Sequence, residues 1–115
     1  MAYQEELANR IRDLVHIFPD EVRRHITEKK MFGGIAFLYQ DKMTVGVIKD
    51  DLMVRVLSNK IDKILAMEHV RPMDFTHRPM KEFVYVSAKG YATGEQLHSW
   101  IELGIEHAIH KLKSH

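Results

Sequence analysis

The chain has 115 residues, of which 45% are hydrophobic and 29% charged, the balance of one soluble globular domain able to bury its own core. A net charge of +1 and the lack of cysteine exclude nucleic-acid binding by overall charge, a disulfide framework and thiolate chemistry. No apolar run approaches the ~20 residues that cross a bilayer, and the polar start MAYQEELANR is no secretory signal, so a cytoplasmic protein without membrane contact is expected.

Over residues 2–18, Leu7, Ile11, Leu14, Val15 and Phe18 recur at helical spacing, which predicts an amphipathic helix with one face to bury. Pro19 interrupts it, and residues 20–26 read as a further helical turn or two anchored by Val22 and Ile26. Arg23, Arg24, His25, Lys29 and Lys30 form the most basic local stretch. It reads as a solvated surface near a helix end, with phosphate contact as the alternative.

Strand formers then dominate. Met31-Phe32 begins or precedes the first strand, and Gly33-Gly34 permits a bulge or a bend. Residues 35–40, 43–48 and 52–57 read as three strands joined at Asp41-Lys42 and Asp50-Asp51. With two-residue loops, Leu38 faces Val45, Ala36 faces Val47, and Val47 and Val45 face Val54 and Val56. That aliphatic side is expected to cover the core, because strand side chains alternate with period two. The opposite side collects Phe37, Tyr39, Gly46, Met53 and Arg55, with Phe37 and Arg55 both opposite Gly46, and is the candidate interaction face.

Ser58-Asn59 supplies an N-cap for a short helix through Ile61, Ile64 and Leu65. The section RPMDFTHRPM, with its two prolines, predicts one short edge strand followed by a loop. Residues 83–87 read as a clearer strand, Phe83 and Tyr85 on one side and Val84 and Val86 on the other. Thr93 and Gln96 form a capping-box pattern that opens the last helix. Leu97, Trp100, Ile101, Gly104, Ile105, Ala108, Ile109 and Leu112 give that helix one apolar face, and Gly104 on it predicts a close approach by another element.

Chemical signatures are sparse. His107 and His110, with His98 farther up the same helix, are the metal candidates, but a structural zinc takes about four ligands and the rest of the set is not evident. Asp41, Asp50 and Asp51 sit at turns, where aspartate serves the backbone, and no serine or phosphate-cradling loop pattern stands out. No catalytic residue, cofactor or metal is expected. Met31, Met43, Met53, Met73 and Met80 read as core filling, with an adaptable groove as the alternative.

In the order helix, three strands, helix, two strands, helix, the segments Lys30-Met31-Phe32-Gly33-Gly34, the strand-turn-strand to Val56, Phe75, and the final helix with Leu97 and Trp100 resemble the N-terminal domain of the TfoX family of competence regulators. The likeness runs from about Leu7 to the end. It implies a single domain over residues 1–115 with an α+β two-layer fold: one antiparallel sheet with helices packed on it, in the order α-β-β-β-α-β-β-α. It carries over no catalytic or cofactor residue. The chain departs from the family at Asp41-Lys42, where members often have Asp-Gly, and at Met80-Lys81-Glu82-Phe83-Val84-Tyr85, where Met-Pro and paired aromatics are common. The full regulators add a C-terminal helical domain for which this chain leaves no room, so a stand-alone module is expected. The implied function is a non-enzymatic regulatory or interaction module that binds a protein partner or a second copy of itself. The alternatives are nucleic-acid binding through Arg23, Arg24, Lys29 and Lys30 with Arg55, and a small-molecule site on the Phe37, Tyr39 and Arg55 face.

Overall fold

The computed structural model describes residues 4–31, 33–75 and 78–113, and for 73–75 and 78–81 it gives the backbone alone. The expected amphipathic helix is α1 (Glu5–Val15), with Leu7, Ala8, Ile11 and Val15 buried on one side. Two tight backbone bonds, from Ile17 to Leu14 and from Phe18 to Val15, close its end. Pro19 then caps a single helical turn, α2 (Asp20–Arg23).

Strand β1 (Ile26–Met31) follows at once, where a helix end was expected. Its run Thr27-Glu28-Lys29-Lys30 is exposed throughout and hides the strand from a hydrophobicity reading. Charged side chains of this kind blunt a sheet edge against pairing with other molecules. Strands β2 (Gly34–Tyr39), β3 (Lys42–Ile48) and β4 (Asp51–Arg55) continue as a meander. After α3 (Ile61–Leu65) the chain returns as β5 (Val70–Phe75) and β6 (Arg78–Val86). A 3-10 turn at Ala88–Gly90 leads into α4 (Gly94–Lys113). Among the described residues the strands form one antiparallel sheet in the order β1-β2-β3-β4-β6-β5, six strands where five were expected. Helix α4 lies over β2, β3 and β4, α1 packs on α4 and β3, and α3 rests against β5 and β6. The fold is α+β in two layers.

Both hairpin turns sit one residue earlier than the sequence suggests. Tyr39 pairs with Lys42, which leaves Gln40-Asp41 as the first turn, and Ile48 pairs with Asp51, which leaves Lys49-Asp50 as the second. Gln40 and Asp41 both have positive φ, at 47° and 68°, as a tight hairpin turn that follows strand twist requires. Displacing a turn by one residue changes the register by two and preserves the faces, so Val45, Val47, Val54 and Val56 do line the core. The same shift sets Val45 opposite Val54 and Val47 opposite Leu52, in place of the expected partners.

Strand β2 is different. A bulge between Phe37 and Leu38 inserts Thr44 as an extra residue in β3, so Leu38 pairs with Met43 while Phe37 pairs with Val45. The Thr44 hydroxyl donates to the Phe37 carbonyl at 2.8 Å, satisfying both groups where the ladder is broken. One odd residue turns β2 over: Ile35 and Phe37 enter the core, and Ala36 and Leu38 join Met31, Met43 and Met53 on the other side.

Helix α4 begins as its sequence predicts. The Gln96 amide donates to Thr93 Oγ1 at 3.1 Å and the Thr93 amide to Gln96 Oε1 at 2.9 Å, a closed capping box. Trp100 donates its indole N–H to the Gly90 carbonyl at 2.9 Å, tying the helix to the turn that precedes it. A Cβ at Gly104 would stand 2.5 Å from the Thr44 carbonyl oxygen, so the expected close approach is made by strand β3 at its bulge. Helix α3 departs from expectation: its N-cap is Lys60 and no side chain caps it, so Ser58-Asn59 plays no capping part. The edge strand across Pro72 is β5, and it pairs antiparallel with β6, which begins at Arg78 where a loop was expected. Val84 and Val86 face the core and Phe83 and Tyr85 the other side, as their alternation predicts. Among the described residues, no helix is long and apolar enough to cross a membrane.

Candidate interaction surface

The predicted interaction face is divided by the turned-over strand. Phe37 is 2% exposed and packs in the main core. Tyr39 is buried with its ring edge-on to His25, at 5.7 Å between centroids. Gly46 lies between Ala36 and Met53, and Arg55 lies opposite Phe83, so neither Phe37 nor Arg55 faces Gly46. Met53 and Arg55 stay on the far side of the sheet, where the Arg55 guanidinium sits over Phe83 at 5.2 Å and that of Arg71 over Tyr85 at 5.0 Å. The methionines Met31, Met43 and Met53 gather there in a cluster whose described members all come from strands, so they fill the outer side of the sheet. The side chains of Met73 and Met80 lie outside the described residues. A small-molecule site combining Phe37 with Arg55 is not formed, because the two are on opposite sides.

The predicted basic patch is also diluted. Arg23 and Arg24 stand at the end of α2, while Lys29 and Lys30 are successive residues of β1 and so point to opposite sides of the strand. Glu28 interrupts the run and pairs with Arg12 through both carboxylate oxygens, at 2.7 and 2.8 Å. That hydrogen-bonded guanidinium holds the Glu28 carboxyl below its usual pKa. Of the family-like signature, Phe32 lies outside the described residues. Met31 ends β1, Gly33 turns with φ +77°, and a Cβ at Gly34 would overlap the Val47 carbonyl.

The histidine pair separates. His110 is exposed, whereas His107 is 0% exposed and lies 3.2 Å from Glu82 Oε1, off the line a hydrogen bond needs. Among the described residues, no group of three or more metal-ligating side chains comes together. Glu82 has φ 73°, a conformation that costs a non-glycine residue, and Lys111 approaches it at 3.9 Å. Burial lowers the His107 pKa, Arg55 and Lys111 lower it further, and Glu82 opposes them.

The folded protein therefore keeps His107 neutral to lower pH than the unfolded chain, where imidazole titrates near pH ~6.5. A depressed base in the folded state means that the unfolded chain binds the extra proton. Stability is whole above pH ~6.5 and falls as the pH drops below it, by up to about 1.4 kcal/mol per pH unit. Urea titrations from pH 7 down to pH 5 are expected to show this fall, and His107→Gln to flatten it. An unchanged pH slope in the variant would place the titrating group elsewhere.

The feature that sequence reasoning missed is a groove between the α1–α2 turn and α4. It holds about 830 Å³, with Ile17, Phe18 and Val22 on one wall and Leu103 and Ile109 on the other. His98 and Glu102, 3.2 Å apart, and Lys60 and Glu106, 2.7 Å apart, form its polar rim. The Phe18 ring stands edge-on to His98 at 4.8 Å, which fixes the floor of the groove near α4. Ile17 is 72% exposed at the edge of this apolar lining. The available signal was its position: Ile17 falls off the stripe of Leu7, Ile11, Leu14 and Phe18, where an amphipathic helix places polar residues.

Comparison with known proteins finds that the model of a family described as TfoX N-terminal domain matches residues 21–108. No curated protein matches, and no solved structure does. Ile17, Phe18 and Pro19 precede the matched span and Ile109 follows it, so part of the groove belongs to this chain outside the family match.

Proposed function

The chain belongs to the TfoX N-terminal domain family, and from that premise we propose that it is a regulatory interaction module that works by protein–protein contact. The observation that carries this reading is Ile17, a large apolar side chain 72% exposed beside an apolar groove. Fully burying an isoleucine is worth about 1.5–3 kcal/mol, so a side chain left in water next to such a lining supports a surface that is covered in use. The polar rim of Glu102, Glu106, Lys60 and His98 suits a docking site, where an apolar centre is ringed by groups that stay hydrated. The regulatory part of the reading comes from the likeness to competence regulators.

Photocrosslinking from position 17 in living host cells tests it. A photoreactive residue replacing Ile17 is expected to yield a discrete protein adduct that the same residue at Lys29, on the exposed edge strand, does not yield. If position 17 gives no adduct above the Lys29 background, the reading falls.

A further inference from the structure

The exposed side chain and the groove share one surface, and their adjacency singles out an occupant. Resting on the interaction reading above, we propose that the groove receives Ile17 of a second copy of this chain. Each α1–α2 turn of the resulting two-fold dimer seats against the other copy's α4. A two-fold interface requires a patch that complements itself, and a projecting apolar side chain beside an apolar recess meets that requirement.

Charge supports the same occupant. The α4 wall carries Glu102 and Glu106 one helical turn apart, and Glu102 has as its partner only the imidazole of His98 among the described residues. The opposite wall leads from Val22 directly into Arg23 and Arg24. Arg23 pairs with Asp20, while Arg24 is exposed and in no ion pair among the described residues. When the turn of one copy moves onto α4 of the other, Arg24 travels with Ile17 toward Glu102, while Glu106 keeps its pairing with Lys60. The two-fold axis then makes each contact twice. A chain of net charge +1 offers no long-range repulsion to this approach.

Size sets the strength. Among the described residues twelve line the groove, and a contact centred on it is small beside the ~20–30 residues a side of a standard interface, so the dimer is expected to be weak and concentration-dependent, on the order of micromolar.

Sedimentation velocity across a concentration series of the purified chain is the test. The wild type is expected to pass from 13.5 kDa toward twice that mass as concentration rises, and Ile17→Glu to weaken association by at least about tenfold. Arg24→Glu and Glu102→Arg are each expected to weaken it severalfold, and the double variant to recover, because the reversed pair is intact in both contacts. All three positions are exposed, so the variants should melt with the wild type. A wild type that stays at 13.5 kDa throughout, or a dimer indifferent to Ile17→Glu, overturns the proposal. The crosslink from position 17 separates the two readings. An adduct of twice the chain mass supports both, an adduct with a different protein keeps the interaction reading and removes the second copy, and no adduct removes both.

Discussion

Gly104→Ala is expected to destabilise the domain by about 2 kcal/mol, although alanine is the better helix former by about 1 kcal/mol in an open helix. The sign reverses because the added methyl would stand 2.5, 2.7 and 2.9 Å from the carbonyl oxygen, carbonyl carbon and Cα of Thr44. These are backbone atoms at the β3 bulge, and they cannot swing aside as a flexible side chain would. Either α4 lifts from the sheet or the bulge deforms, and each loosens the core between them. The thermal midpoint should drop by about 10 °C. Gly94→Ala is the control: nothing lies within 4 Å of its added Cβ, and it should be close to neutral. Equal melting of Gly104→Ala and wild type would mean that α4 does not rest on β3 as closely as described.

Phe37→Ala should have a larger effect, a loss of about 3–5 kcal/mol in urea titrations. The ring is 2% exposed and packs in the main core beneath the helices. This experiment also decides the register. On the pairing expected from sequence, Phe37 lies on the outer side opposite Gly46, and its truncation is mild. On the observed pairing it faces Val45 across the core side of the sheet, and its truncation leaves a cavity. Lys29→Ala, on the exposed edge strand, should change stability by no more than about 0.5 kcal/mol. A loss from Phe37→Ala below about 1 kcal/mol would restore the expected register.

The sequence was most readable where several local signals agreed. Helix α4 announced itself through Thr93 and Gln96 and an unbroken apolar face, and the structure keeps both. The inner faces of β3 and β4 were legible even though both turns were misplaced, because a turn displaced by one residue preserves side-chain parity. Strand β2 was legible as a strand but its facing was not, since that depends on the single extra residue Thr44, which has no mark in composition. Strand β1 was hidden by the run Thr27-Glu28-Lys29-Lys30, whose charges suit an edge and resemble a helix surface equally well. The candidate site fared worse than the fold. Its residues were grouped by the alternation of one sheet, and the bulge divided them. The groove depends on the α1–α2 turn meeting α4 about eighty residues later, a tertiary event that no window of sequence contains. Only Ile17, apolar on the polar side of the helix expected over residues 2–18, hinted at it.

The strand order β1-β2-β3-β4-β6-β5 also has a consequence for the chain as it is being made. The first four strands pair with their immediate neighbours in sequence, so each hairpin can close soon after its second strand leaves the ribosome. Helix α1 is made before any of them but has to wait. Arg10 hydrogen-bonds to the carbonyls of Tyr91 and Ala92, and the hydroxyl of Tyr91 reaches back to Asp50 in the β3–β4 turn. Helix α4, which covers β2, β3 and β4, comes last. A chain halted before Gly94 is therefore a paired ribbon with Val45, Val47 and Val54 short of their principal cover. Uncovered apolar sheet surface of that kind makes this the interval in which aggregation is expected to compete with folding.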